Sequence, residues 1–169
     1  MRHFLCFLIL AVALPLSADP AWTPLFDGKS TQGWTPRGEV ESFEAVDGEL
    51  RILSKNNVWI VSDLTMENFD AECEVLLPAD AAEVGFNSGL AFRCQGEAGK
   101  PKGYQCEIDL KKPGAVFGIG LGGWLYPKGP ETEKEYASRS NGLWKPGDWN
   151  QVRVRCEGNH IQTWLNGVL

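Results

Sequence analysis

Two carboxylates stand two residues apart in the segment Gly103–Leu110, where apolar and polar side chains alternate. If this segment is a β-strand, Glu107 and Asp109 point to the same side, with their Cα atoms roughly 6.5 Å apart. Two carboxyl groups at about that range can act as nucleophile and acid in the hydrolysis of a sugar. The same spacing also describes a solvated sheet face with ordinary ion pairs, and spacing alone favours that second interpretation.

An arginine and a glutamine are predicted to share this surface. Arg93 lies on the polar side of the alternation in Ser88–Cys94, and Gln105 lies on the polar side of Gly103–Leu110. If these segments are neighbouring strands of one sheet, both side chains stand beside the two carboxylates. A guanidinium group there would keep one carboxyl group ionised.

Three aromatic side chains are candidates for contact with a sugar ring. Trp124 and Tyr126 follow the glycine-rich run Gly118–Gly123, and Trp164 lies on the polar side of Ile161–Leu165. An aromatic ring offers an apolar face together with a polar edge, which suits the C–H face of a saccharide. Trp164 could equally pack beneath a covering loop, so the sequence leaves both alternatives open.

Alternation with a period of two recurs through the chain and predicts strands, whereas helical periodicity is nearly absent. The predicted strands are Phe43–Ala45, Glu49–Ile52, Val58–Ser62, Phe69–Leu76, Ser88–Cys94, Gly103–Leu110, Trp149–Cys156 and Ile161–Leu165. Asp47-Gly48 and Asn166-Gly167 stand at two of the predicted turns, where tight hairpins require a positive φ. The pattern therefore predicts an all-β fold, either a two-sheet sandwich or a jelly roll.

Length and charge limit the number of domains and the kinds of partner that the chain can have. The chain has 169 residues, 43% of them hydrophobic, and a net charge of −6. This length predicts one domain, and the acidic balance argues against nucleic acid as a partner.

The first residues fit a secretory signal, with a positive charge at Arg2, an apolar run over Phe4–Leu14 and small residues ending at Ala18. The apolar run is too short to span a bilayer, which needs roughly 20 apolar residues. We therefore expect residues 1–18 to be removed, and residues 19–169 to form a secreted or periplasmic domain without membrane contact.

The sequence after residue 18 holds four cysteines, all on the apolar side of predicted strands: Cys73, Cys94, Cys106 and Cys156. An oxidising compartment permits disulfides. Cys94 could then bridge to Cys106 and Cys73 to Cys156, or all four could be buried free thiols, because spacing does not give connectivity. No pair has the spacing of a zinc site and no metal-ligand set is visible, so the sequence leaves any divalent metal unknown.

Five segments, in order along the chain after residue 18, together resemble the 3-keto-disaccharide hydrolase domain family. They are Trp22–Ser30 followed by Gly33-Trp34, the NSGLAFR segment Asn87–Arg93, the GYQCEI segment Gly103–Ile108, the GDWN segment Gly147–Asn150, and the NHIQTWLNG segment Asn159–Gly167. The resemblance implies a concanavalin A-like jelly-roll sandwich of two antiparallel sheets, related to lectins and glucanases. It also implies a carbohydrate partner bound on the concave sheet.

The same resemblance implies a reaction, because members of the family are associated with cleaving glycosides already oxidised at C3. A ketone at C3 acidifies the proton on C2, so a base can remove it, the C1 substituent departs, and water adds afterwards. By their positions in the motifs, Glu107 would be the base or acid, Arg93 the partner of the enolate or carboxylate, and Asp109 a second acid or a metal ligand. The residues implied to bind the sugar are Gln105, Trp124, Tyr126 and Trp164.

This chain departs from the family pattern in two places. Thr163 stands where many members carry a histidine. The family continues past the Asn-Gly turn with further strands, whereas this chain ends at Leu169, so we expect the C-terminal strands to be missing and edge strands to be open. A non-catalytic carbohydrate-binding module of the laminin-G type is the alternative, since the same aromatic and carboxylate groups would bind sugar hydroxyls. The sequence leaves the glycoside and the oligomeric state unknown.

Overall fold

The structure, a computed structural model, describes residues 22–169. The predicted secretory signal, residues 1–18, lies outside the described residues. The elements of the described part are β1 Trp34–Arg37, β2 Ser42–Val46, β3 Glu49–Leu53, β4 Trp59–Ser62, β5 Phe69–Leu76, β6 Asn87–Gln95, β7 Lys102–Asp109, β8 Val116–Ile119, β9 Gly123–Tyr126, α1 Pro130–Ser140, β10 Trp149–Glu157 and β11 His160–Leu165. No helix within residues 22–169 has the length and apolar character that crossing a membrane requires.

One antiparallel sheet has the strand order β6-β7-β8-β9. Its central pair, β6 and β7, is in regular register from Asn87 opposite Asp109 to Phe92 opposite Tyr104. Beyond Phe92 the register shifts, and Arg93 adopts a φ of 49°, which marks a β-bulge. A β-carbon at Gly103, on the facing strand, would approach Cα of Cys94 at 2.9 Å, so the glycine leaves room for the bulge.

A second antiparallel sheet has the order β11-β10-β5. Along β10 the residues Val152, Val154 and Cys156 are buried, while Arg153 and Arg155 point to the opposite face. This alternation follows from the pleat of the strand, which sends successive side chains to opposite sides.

The core lies between these two sheets. Its buried members are Leu77, Phe92, Cys106, Ile108, Trp144, Val152, Val154, Cys156 and Leu165. Fully burying an aliphatic or aromatic side chain contributes about 1.5–3 kcal/mol. The apolar row of β7 therefore fixes that strand's orientation, and with it the direction of the polar row.

The remaining elements flank the two sheets. β1 pairs with β4, and β2 pairs with β3 around the turn at Asp47-Gly48, where both residues have positive φ. Helix α1 has no buried residue, and it is attached to the β7–β8 connection by the Tyr136 hydroxyl, which donates to the Pro113 carbonyl at 2.8 Å. A helix that buries so little shows no apolar periodicity, which explains why the sequence did not predict it.

The prediction of an all-β antiparallel sandwich is confirmed. Each of the eight predicted strands is present, and β1, β8 and β9 are additional. Within the described residues the four cysteines are free, which corresponds to the thiol alternative. The prediction that all four lie on the apolar side is wrong for Cys94, which is exposed because the bulge at Arg93 interrupts the alternation of β6.

Candidate active site

The polar row of β7 lies on the face of the four-stranded sheet that points away from the core. Cross-strand pairing places Gln105 opposite Phe117, and Phe117 opposite Trp124, in one row across β7, β8 and β9. We call the surface formed by Gln105, Glu107, Asp109, Phe117 and Trp124 the carboxylate face. Four of the seven predicted site residues are therefore together: Gln105, Glu107, Asp109 and Trp124.

Glu107 is almost enclosed on this face, with 4% of its surface exposed. Its Oε1 accepts a hydrogen bond from Nε2 of Gln105 at 3.0 Å. Within residues 22–169, Oε2 receives no hydrogen bond. Every fully buried side-chain oxygen in that range has a hydrogen-bond partner, so Oε2 is not fully buried. Oε2 therefore keeps access to solvent.

The environment of Glu107 favours its neutral form. Burial, followed by the charge of Asp109, raises the pKa of Glu107 from 4.5 to about 7, while the hydrogen bond from Gln105 opposes this rise. A carboxyl group with a pKa near neutrality can both take up and release a proton at physiological pH. Glu107 is thus suited to general acid–base chemistry.

Asp109 has both of its carboxylate oxygens engaged. Oδ2 accepts from Nδ2 of Asn87 at 3.0 Å, across the β6–β7 pair. Oδ1 accepts from the backbone amide of Lys111 and from that of Lys112, which closes the turn after β7. Asp109 therefore acts as a turn-forming and register-fixing residue, with a negative charge that acts on Glu107.

Trp124 and Lys112 border the carboxylate face. Trp124 is 37% exposed and meets Phe117 edge to face, with ring centroids 5.2 Å apart. The ammonium group of Lys112 lies 4.8 Å from the Trp124 ring centroid and 3.0 Å from Oε1 of Glu133 on α1. The border thus combines an exposed indole with a cation, a pairing that favours polar ligands with an apolar side.

A pocket of about 350 Å³ opens between α1 and the turn after β7. Its wall includes Leu110, Lys112, Glu133 and Tyr136, and Glu107 does not line it. The volume lies within the range of about 300–1,000 Å³ that is usual for small-molecule sites. The pocket therefore offers room for a part of a ligand that Glu107 itself does not contact.

Arg93 is not on the carboxylate face, and the prediction that it gathers there is wrong. Its Nε and Nη2 donate to the Glu67 carbonyl at 2.9 and 2.6 Å, and its Nη1 donates to the Gly158 carbonyl at 2.7 Å. Because the bulge at Arg93 breaks the alternation of β6, the side chain turns toward the loop before β5 and the β10–β11 turn. Arg93 therefore links the loop before β5 to the β10–β11 turn through hydrogen bonds.

Tyr126 is also separated from the carboxylates. A register shift in β8–β9 places Tyr126 opposite the buried Val116, on the core side of the sheet and not beside Trp124. Its hydroxyl accepts from Nη2 of Arg139 at 3.0 Å, and its ring meets Tyr136 edge to face. The prediction that Trp124 and Tyr126 share one subsite is wrong, since the two rings lie on opposite faces of the sheet.

Trp164 lies on the outward side of the other sheet. It pairs with Arg153, whose guanidinium is 5.1 Å from the Trp164 ring centroid and 5.7 Å from that of Trp22. We call the surface formed by Asp70, Arg153, Arg155 and Trp164 the arginine face. The core lies between this face and the carboxylate face, so the prediction that Trp164 joins the site of Glu107 is wrong.

Sequence reasoning missed three residues of the candidate site: Asn87, Lys112 and Phe117. The register of the β6–β7 pair, once assumed, would have placed Asn87 opposite Asp109. Lys112 and Phe117 carried no signal, because the turn after β7 and strand β8 were not predicted. Among residues 22–169 the structure contains no cluster of three or more His, Cys, Asp or Glu side chains arranged to hold a metal ion.

Comparison with known proteins agrees with this architecture. Residues 21–169 match the model of the 3-keto-alpha-glucoside-1,2-lyase-like domain. A crystal structure of a "putative glycosyl hydrolase" from Parabacteroides distasonis is similar, with 21% identity and a TM-score of 0.57 over 86% of this chain and 69% of that chain. No curated protein matches the chain.

The chain belongs to the 3-keto-alpha-glucoside-1,2-lyase-like domain family, since the family model covers all of the described residues. The solved structure supports the fold, at an identity too low to carry more. Family membership supports a glycoside-hydrolase-like function that acts on carbohydrate.

Proposed function

We propose that this chain cleaves the glycosidic bond of a sugar already oxidised at C3, by elimination, with Glu107 as the base that removes the C2 proton. The family match supports a glycoside substrate. The observation that carries the proposal is the state of Glu107, an enclosed carboxyl group with a pKa of about 7 and one oxygen that is free of hydrogen bonds and not fully buried.

The reaction is balanced without a further reactant until water enters. Oε2 of ionised Glu107 takes the C2 proton, and the electron pair of the broken C–H bond moves into the enolate of the C3 ketone. Re-formation of the ketone creates a C1=C2 double bond and breaks the C1–O bond. The departing oxygen takes up the proton that Glu107 removed from C2, which regenerates the carboxylate. Water then adds across C1=C2 to give the free 3-keto sugar.

Lys112 is the cation assigned to the substrate in this proposal, in place of the predicted Arg93. Its ammonium group borders the carboxylate face and also lies in the wall of the 350 Å³ pocket. A cation near the enolate oxygen stabilises the charge that develops as the C2 proton leaves. Trp124 provides an exposed apolar ring for the C–H face of the sugar.

The test is turnover of 3-keto-disaccharides by the wild type and by Glu107→Gln, measured as release of the leaving sugar. General-base catalysis contributes about 10²–10⁴-fold, so we expect kcat to fall by about that factor. Glu74→Gln is the matched control, because Glu74 lies exposed on β5 and undergoes the same chemical change. Normal turnover by Glu107→Gln would overturn the assignment of the base.

A non-catalytic carbohydrate-binding module is the second candidate. It is favoured by one observation, namely that Glu107 does not line the 350 Å³ pocket. A binding module retains most of its sugar affinity in Glu107→Gln and cleaves neither 3-keto nor unoxidised disaccharides. Calorimetry of binding, run beside the turnover assay, distinguishes the two functions.

The proposed place of action is outside the cytoplasm. It rests on the order of charge, apolar run and small residues over positions 1–18. Mass spectrometry of the protein recovered from an exporting host should show a chain that begins at Asp19.

A further inference from the structure

Glu107 is held by a small packing arrangement that spans β6 and β7. Gly89 lies directly opposite Glu107, and Ala91 lies directly opposite Gln105. The Gln105 side chain does not stay above Ala91 but extends along the sheet toward Glu107, where its Nε2 donates to Oε1 at 3.0 Å. It therefore occupies the space above Gly89.

The backbone does not explain why residue 89 is glycine. Its φ lies outside the left-handed region that favours glycine. A glycine within a strand lowers stability, because it loses more conformational freedom on folding than other residues and has no side chain to pack. A reason for the glycine must therefore come from its neighbours.

The neighbour in question is the Gln105 side chain. A β-carbon at position 89 would lie 2.4 Å from Cγ, Cδ and Nε2 of Gln105, far closer than two such atoms can approach. All three atoms belong to one flexible side chain, so a larger residue at position 89 would displace Gln105 and leave the strand pairing in place. We infer that Gly89 is a positioning residue: its missing side chain leaves the space in which Gln105 holds the Glu107 carboxyl group.

This inference rests on the proposed role of Glu107, and it assigns Gln105 a second role beside the predicted one in sugar binding. With Oε1 held by Gln105, Oε2 is the oxygen that faces a substrate. The charged group that acts on this carboxyl group is Asp109 on its own strand. Lys112 and Glu133 pair with each other at the border of the face. The three atoms nearest to a β-carbon at position 89 all belong to Gln105, so a substitution there tests the Gln105 contact.

The experiment measures the titration of the Glu107 side-chain carboxyl carbon by NMR, in the absence of substrate, for three variants. Gly89→Ala and Gln105→Ala should each move the pKa of Glu107 above the wild-type value, since each removes a hydrogen bond to the ionised form. The double variant should match Gln105→Ala alone, because Gly89 acts only through Gln105. Ser88→Ala, next to Gly89 on the same strand, should titrate as the wild type.

Activity provides the second measurement. For both single variants we expect the acid limb of kcat/KM to move to higher pH. We also expect kcat to fall about tenfold, because the carboxyl group is no longer held in one orientation toward the C2 proton. The inference is overturned if Gly89→Ala titrates as the wild type while Gln105→Ala does not, or if the double variant exceeds Gln105→Ala. If the titrations shift as expected but no variant turns over 3-keto sugars, the positioning role stands and the proposed function fails.

Discussion

The two outward faces of the sandwich contain the same kinds of side chain in opposite arrangements. On the arginine face, Asp70 accepts hydrogen bonds from Arg153 at 2.7 and 2.5 Å and from Arg155 at 2.9 and 2.6 Å. On the carboxylate face, Glu107 makes no ion pair with any group of residues 22–169. Carboxylate and indole groups occur on both faces, so the presence of these groups does not distinguish a site from a structural surface.

Pairing distinguishes them. Hydrogen bonds from Arg153 and then from Arg155 lower the pKa of Asp70, whereas burial raises that of Glu107 to about 7. The charged groups of the arginine face pair with one another, and the indoles of Trp22 and Trp164 lie against the Arg153 guanidinium. An enclosed carboxyl group without a cationic partner lowers the stability of the folded protein when it is charged. Groups with such a cost are found more often at functional sites than elsewhere.

The largest expected effect is on the pH dependence of stability, through Glu107. Its folded pKa of about 7 exceeds the ordinary value of 4.5, so the folded state binds more protons between these values. The free energy of unfolding should therefore fall as pH rises from about 4.5 to 7, by on the order of 3 kcal/mol. Urea unfolding of the wild type and Glu107→Gln at pH 5 and pH 8 checks this.

Glu107→Gln should remove that slope and be the more stable protein at pH 8. Glu74→Gln, an exposed change of the same kind, should unfold as the wild type at both pH values. An unchanged slope in Glu107→Gln would mean that Glu107 titrates normally, and the contrast between the two faces would lose its basis.

Asp70 should show a smaller effect of the opposite sign. Its pKa is lowered in the folded state, so its contribution is fully present above the ordinary value of 3.8 and is lost as pH falls through the folded pKa. At pH 7, Asp70→Asn should lower the free energy of unfolding by about 1–2 kcal/mol, since two partly exposed charge-assisted pairs are lost.

The difference between wild type and Asp70→Asn should shrink in urea unfolding below pH 4. Turnover of 3-keto sugars should be unchanged, because the core separates Asp70 from the carboxylate face. A loss of turnover at full folding would instead show that the two faces are coupled.

Much of this fold could be predicted because strand alternation is a local property. It gave each of the eight predicted strands, and it placed Gln105, Glu107 and Asp109 on one face of β7. Local alternation does not show which sheet a strand joins, so it could not tell that the polar sides of β7 and β11 lie on opposite outward surfaces. Trp164 was misplaced for that reason.

Bulges limited the prediction in a second way. One additional residue in a strand reverses the facing of every residue beyond it, and the register shifts at Arg93 and in β8–β9 moved Arg93 and Tyr126 away from the carboxylates. Gly103 leaves room for the first shift, but the alternation of apolar and polar residues signals neither shift.

Two family-like motifs in this chain have structural explanations. Asn150, in the GDWN segment, is fully buried and bonds the backbone of Lys145 through both its amide nitrogen and its amide oxygen. The Asn166 side chain, in the NHIQTWLNG segment, donates to Oδ1 of Asn150 at 2.9 Å and to the Leu143 carbonyl. These motifs therefore identify the family through its turns, whereas the NSGLAFR and GYQCEI segments meet at Glu107.

The smallest expected effect compares two indoles, one on each outward face. Trp124→Ala should weaken binding of a 3-keto-disaccharide to Glu107→Gln, used as the inactive background, by about tenfold, because stacking of an aromatic ring is worth about 0.5–1.5 kcal/mol beyond the area it buries. Trp164→Ala should leave the dissociation constant unchanged, since its ring stacks on Arg153 of the arginine face. Isothermal titration calorimetry measures both. If Trp164→Ala weakens binding and Trp124→Ala does not, the sugar binds on the arginine face, and the carboxylate face is not the binding site.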